Sequence, residues 1–151
     1  MTYLKEGDKA PNFTGNNEKG ESISLATYAG KKLVLFFYPK DMTPGCTAEA
    51  CNLSENYEMF KEKGYDVLGV SMDPEARHQK FIDKYELAFS LLADIEKETI
   101  EAYGVWGPKK FMGREYEGIH RTTFIINEEG IIEKIFTKVN TKEHTQQIFT
   151  E

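Results

Sequence analysis

The sequence is short of cysteine and tryptophan, has no long apolar run and carries no excess of basic residues. Its 151 residues hold two cysteines, Cys46 and Cys51. Two sulfurs cannot build the multi-disulfide scaffold of a small secreted domain, and a structural zinc site takes about four ligands. His78, His120 and His144 are scattered and keep no ligand spacing relative to either cysteine, so neither a metal nor another cofactor is expected. No apolar stretch approaches the ~20 residues of a membrane-spanning helix. The first residues, MTYLKEGDKAPNF, lack the apolar segment of a secretory signal. A cytoplasmic protein without membrane contact is therefore expected, where two cysteines do not form a static disulfide. Lysine and arginine number 19 against 25 acidic residues, a net charge of −6. With no basic block, nucleic acid and anionic membrane surfaces are not expected partners.

What is present reads as one domain spanning residues 1–151. The composition, 40% hydrophobic and 13% aromatic, is ordinary for a globular chain. Glu21 to Leu25 alternates as a short edge strand, and Leu33 to Tyr38 is a continuous apolar strand ended by Pro39. A helix is predicted from Thr43 to about Lys63, with Ala50, Leu53, Tyr57 and Phe60 on its buried face and Gly64 at its C-terminus. Asp66 to Met72 is the next strand. Asp73-Pro74 opens a helix whose stripe is Phe81, Ile82 and Tyr85. Leu91 to Ala93 is a short strand and Glu96 to Tyr103 a short helix. Gly104 to His120 shows no period and reads as a long excursion. Thr122 to Asn127 and Ile131 to Val139 form an antiparallel pair across the turn Glu128-Glu129-Gly130, and Thr141 to Phe149 closes as a helix. Strands alternating with helices give an α/β class, a mixed central sheet with helices on both faces.

The chain is organised around FFYPKDMTPGCTAEAC, Phe36 to Cys51. A buried strand ends at Pro39. Thr43 can cap the amides of the helix that follows, and Pro44 suits the first helical position. Both cysteines fall in the first turns of this helix. A sulfur at a helix N-terminus sits in positive potential, which favours the thiolate; the plain alternative is a small buried residue, as free cysteines commonly are. Glu49 lies one turn beyond Cys46 on the same face, and a solvated helix glutamate would look the same. Cys51 is five residues from Cys46, not the Cys-x-x-Cys spacing of thioredoxin.

The pattern Pro39-x-x-x-Thr43-x-x-Cys46 resembles the active site of peroxiredoxins, and the longer string FYPKDMTPGCTAEAC is similar to their Q-type subfamily, the bacterioferritin comigratory proteins. YGVWGPKKFMGREYEGIHRTTFII, Tyr103 to Ile126, and GDKAPNF, Gly7 to Phe13, extend the likeness over most of the chain. The resemblance implies a thioredoxin-like fold and a thiol-dependent peroxidase acting on hydrogen peroxide or alkyl hydroperoxides. It implies that Cys46 is the attacking thiol and Pro39 its shield from water. Thr43 would bond peroxide and sulfur through its hydroxyl, Arg121 would hold thiolate and peroxide, and Glu49 would orient Arg121. Cys51 would resolve the Cys46 sulfenic acid as an intramolecular disulfide, which thioredoxin or a similar dithiol reduces, in a monomer or weak homodimer. Two readings stand against it: a general thiol–disulfide oxidoreductase, which has no need of Arg121, and a non-enzymatic binding module on the same scaffold.

Overall fold

The computed structural model describes residues 2–150. Among the described residues, nine strands and five α-helices follow one another: β1 (Thr14–Asn17), β2 (Ser22–Ser24), β3 (Lys32–Phe37), α1 (Pro44–Glu55), α2 (Tyr57–Glu62), β4 (Tyr65–Ser71), α3 (Glu75–Tyr85), β5 (Ser90–Ala93), α4 (Glu98–Ala102), β6 (Trp106–Phe111), β7 (Arg114–Ile119), β8 (Thr122–Ile126), β9 (Ile132–Phe136) and α5 (His144–Thr150). A 3-10 turn, Leu25–Tyr28, joins β2 to β3.

Seven strands form one sheet in the order β2-β1-β5-β4-β3-β8-β9, and β6 and β7 pair separately. The centre, β3-β4-β5, is parallel, and β8, β9, β1 and β2 pair antiparallel on its flanks. The sheet divides the core in two because strand side chains alternate between faces. Leu33, Leu35 and Phe37 of β3 join Leu68, Val70, Phe124, Ile100 and Tyr103 on one face. Val34, Phe36 and Tyr38 join Cys46, Ala50, Leu53, Phe60, Phe81 and Ile148 on the other. The continuous apolar run 33–38 is thus a strand buried on both sides. The mixed sheet with helices on both faces agrees with the sequence reading.

Three local readings are corrected. The helix predicted from Thr43 to Lys63 is broken at Asn56, with φ −104° and ψ 10°. The Asn56 side chain donates to the Asn52 carbonyl at 2.8 Å, the acceptor its own amide would use in a continuous helix, and so competes with the backbone. The aperiodic stretch Gly104 to His120 contains the hairpin β6-β7. Phe111 pairs with Arg114 across a two-residue turn in which Met112 (φ 52°) and Gly113 (φ 81°) are both left-handed, as a tight hairpin requires. Most of its residues face solvent, so no burial pattern marked it. Strand β1, TGNN, was also not expected, for it has no apolar residue to betray it.

Candidate active site

Strand β3 delivers the chain to the sheet's carboxyl end, where residues 38–43 turn it into α1. Pro44 holds the first helical position, and Gly45 and Cys46 follow it. The Gly45 and Cys46 amides have no carbonyl within the helix to bond, so the Cys46 sulfur sits in the field of an uncapped N-terminus. Thr43 has the extended backbone of an N-cap, but its hydroxyl makes no cap bond. It donates instead to the Lys40 carbonyl at 2.7 Å, which corrects the capping expectation. Pro39 is half-buried in the same turn.

Cys46 is only 1% exposed. Arg121, placed by the start of β8, approaches it across the site: Nη2 donates to Cys46 Sγ at 3.4 Å and Nη1 to Glu49 Oε1 at 2.7 Å. One planar fork thereby bridges a sulfur and a carboxylate. Gly45 makes room for it, since a Cβ there would lie 3.2 Å from Arg121 Nη2. Burial would lower the Arg121 pKa, but Glu49 and Cys46 outweigh it and the net shift is upward. A second cation stands nearby. Lys109 of β6 donates to the Ile119 carbonyl at 2.9 Å; burial and then Arg121 push its pKa down, while Cys46 pulls it up. The sequence did not single it out because its hairpin was invisible.

Behind Arg121 lies a buried polar chain that sequence reading also missed. Glu49 Oε2 is 3.8 Å from His144 Nε2 of α5 and accepts no hydrogen bond from the described residues. The Gln147 amide is oriented by donating to the Lys138 carbonyl and accepting from the Asn140 amide. Its Oε1 can only accept from His144 Nδ1 at 2.8 Å, which places the ring proton there and leaves Nε2 to accept from the Thr123 hydroxyl, also at 2.8 Å. The ring is neutral, and burial pushes its pKa down to about 4. Burial pushes the Glu49 carboxyl up to about 7 against the pull of Arg121.

The Glu49 shift has a testable sign. An unfolded glutamate ionises near 4.5, whereas Glu49 in the fold keeps its proton to about 7, so its ionisation lowers stability as pH rises between those values. Glu49→Gln should therefore gain on the parent protein across this window, by on the order of 3 kcal/mol. Urea unfolding of both proteins at several pH values reads the difference. A gap that stays constant, or shrinks as pH rises, would contradict the buried, late-ionising carboxyl.

Cys51 also lies in α1, half-buried, and both thiols are free. Burial, then the charge of Glu55, raises the Cys51 pKa. The structure therefore gathers Cys46, Glu49 and Arg121 by direct contact, with Thr43 and Pro39 in the adjoining turn and Cys51 held apart on the helix.

Comparison with known proteins places this arrangement. The AhpC/TSA family model matches residues 6–135. Peroxiredoxin Bcp of Escherichia coli (strain K12) is 44% identical over 144 residues, 95% of this chain and 92% of that protein. Peroxiredoxin Bcp of Bacillus subtilis (strain 168) is 46% identical over 144 residues, with the same coverage. The chain belongs to the peroxiredoxins. Peroxiredoxins are thiol-dependent peroxidases, and this chain is one, using a peroxide substrate and a thiol reductant. Among solved structures, a PrxQ variant of Xylella fastidiosa superposes with a TM-score of 0.93 at 27% identity, covering 99% of this chain and 96% of that one. The bacterioferritin comigratory protein of Xanthomonas campestris, described for alkyl peroxide reduction, gives 0.86 at 30% identity, covering 99% and 96%. The thioredoxin-like fold and the Q-type likeness read from the sequence hold for this peroxiredoxin. No helix among the described residues is long and apolar enough to cross a membrane.

Proposed function

We propose that Cys46 reduces hydrogen peroxide and alkyl hydroperoxides and that Cys51 resolves the product. The Cys46 thiolate attacks the terminal oxygen of ROOH. The S–O bond forms as the O–O bond breaks, sulfur loses two electrons, and the departing RO⁻ takes a proton to leave as an alcohol or water. The observation that carries this is the Arg121 guanidinium at 3.4 Å from the sulfur. A permanent cation there favours the thiolate and stabilises negative charge shared between sulfur and leaving oxygen. Thr43 donates its proton to Lys40 and so keeps lone pairs to accept the peroxide O–H. A sulfur 1% exposed suits a small peroxide better than a protein disulfide, against a general disulfide oxidoreductase. Pro39 limits water at the thiolate and Glu49 fixes the guanidinium.

In the second step the Cys51 thiolate attacks the Cys46 sulfenic acid, a disulfide forms and hydroxide leaves as water. Residues five apart in a regular helix have Cα atoms roughly 8.6 Å apart and point some 140° away from each other. A disulfide does not close beyond about 7 Å. Because both cysteines lie in α1, its first turns must unwind. The downstream limit of that unwinding is Asn52, whose side chain accepts from the Thr145 amide at 2.8 Å and donates to the Lys142 carbonyl at 3.0 Å. Amide hydrogen exchange on the dithiol and disulfide forms tests this. Protection is expected to fall between about Thr43 and Cys51 on oxidation and to persist beyond Leu53. Equal protection in both forms, with the Cys46–Cys51 bond confirmed by mass spectrometry, would refute it. The unwound segment presents the disulfide to a dithiol protein such as thioredoxin, which returns both thiols. The setting is a cytoplasmic protein acting as one domain, a monomer or weak homodimer, without nucleic-acid or membrane partners.

A further inference from the structure

Upstream of the site, the turn that carries Thr43 is fastened by a buried cluster whose hydrogen bonds go to neither sulfur. Asp41 and His78 are both wholly buried. Asp41 Oδ1 accepts from the Tyr38 hydroxyl at 2.5 Å, and Oδ2 lies 2.6 Å from His78 Nδ1. His78 Nε2 lies 3.0 Å from the Leu92 carbonyl. That carbonyl can only accept, so Nε2 carries a proton and a further proton lies between Nδ1 and the Asp41 carboxyl. The Asp41 amide donates to Asp73 Oδ2 at 2.9 Å, and the same oxygen accepts from the Ser71 hydroxyl at 2.6 Å. Arg77 closes the outer side, with Nε 3.3 Å from Asp73 Oδ1 and Nη2 donating to the Asp41 carbonyl at 3.4 Å. The end of β3, the end of β4, α3 and β5 thus converge on one residue of the turn.

The next residue, Met42, has φ 64°. A left-handed methionine persists only where its surroundings over-determine it, and the bonds on Asp41 supply that constraint. Lys40 is fixed on the other side of Asp41, and its carbonyl receives the Thr43 hydroxyl. A route of direct bonds therefore runs from His78 through Asp41 and the turn to the hydroxyl assigned to the peroxide.

We propose that Asp41 and His78 form a positioning latch: they hold residues 39–43 so that Thr43 and the first amides of α1 are set for peroxide, and they stay closed as the upstream limit of the segment that unwinds. The latch acts on alignment and not on the thiolate itself, because neither residue bonds Cys46. It rests on the assignment of Cys46 as the attacking thiol. Hydrogen bonding suffices for the latch: an asparagine at position 41 can donate its amide to His78 Nδ1 and still accept from Tyr38, whereas alanine can do neither.

The test compares two reactions of Cys46 in the full-length dithiol protein: oxidation by hydrogen peroxide, which needs alignment, and alkylation by iodoacetamide, which needs only an accessible thiolate. In Asp41→Ala, oxidation should slow by about tenfold or more, the scale of small misplacements, while alkylation stays near the parental rate. Asp41→Asn should recover most of the oxidation rate. Parental oxidation in Asp41→Ala, parallel loss of both reactions, or an asparagine variant no faster than alanine would each overturn the latch. If Asp41→Ala does not fold, His78→Gln is read by the same comparison: slowed oxidation with parental alkylation supports the latch, and any other pattern overturns it. The parent protein is the control for the underlying reading. If its Cys46 is not the residue oxidised, the Cys46 assignment fails; if it is and the variants match it, only the latch fails.

Discussion

Substituting Cys46 by serine is expected to lower peroxide turnover by at least three orders of magnitude, about 4 kcal/mol of barrier, while the fold survives. The side chains are nearly isosteric and Cys46 packs in the core beside Ala50 and Leu53, so the change removes chemistry and little packing. A serine hydroxyl, far less acidic than a thiol, supplies no comparable nucleophile in the same field. The variant should keep the parental circular dichroism and unfold within about 1 kcal/mol of the parent, since conservative core changes cost little. Turnover within tenfold of the parent would remove Cys46 from its role, and Cys51→Ser, which removes the other sulfur, would then be the variant to examine.

Arg121→Met carries the second largest expected effect. It removes the Sγ contact and the Glu49 pair together, and loss of one preorganised charge contact costs about 10²–10³ in rate. The slowed step should be sulfenic acid formation, read by stopped flow with excess peroxide. The substitution also strands Glu49, wholly buried, without the cation that opposes its protonation; the carboxyl is held neutral, its partner lost, and the protein is destabilised. Stability and rate are separable. Adding Glu49→Gln to Arg121→Met should restore stability and leave oxidation slow. Recovery of the rate in the double variant would mean that Arg121 serves the fold alone.

Much of this was legible in the sequence because the decisive features are local. The apolar run 33–38, the Thr-Pro start of α1 and the position of Cys46 three residues beyond Thr43 are encoded within a few residues of one another. The central strands announced themselves by their apolar runs, and the final antiparallel pair by the Glu128-Glu129-Gly130 turn between them. What was hidden depends on long-range contact. β1 has no apolar face, and the hairpin β6-β7 has little burial to impose a period, so Lys109 went unnoticed near the thiol. His144 meets Glu49 across 95 positions of sequence, and Asp41 meets His78 across 37. Neither pair has a spacing that a motif could show. The break at Asn56 was missed for the opposite reason: the apolar stripe continues through it, while one side-chain amide outbids the backbone for a carbonyl.

On the proposed mechanism, peroxide oxygen passes to Cys46 and Cys51 then takes its place. The most direct measurement is sulfenic acid trapping in Cys51→Ser after one equivalent of hydrogen peroxide, with a dione probe and peptide mass spectrometry. Without the second thiol the intermediate has no intramolecular outlet, so a single probe adduct on Cys46 is expected, and the parent protein treated identically should carry a Cys46–Cys51 disulfide in its place. An unmodified Cys46 in the variant, with the peroxide consumed, would contradict the account.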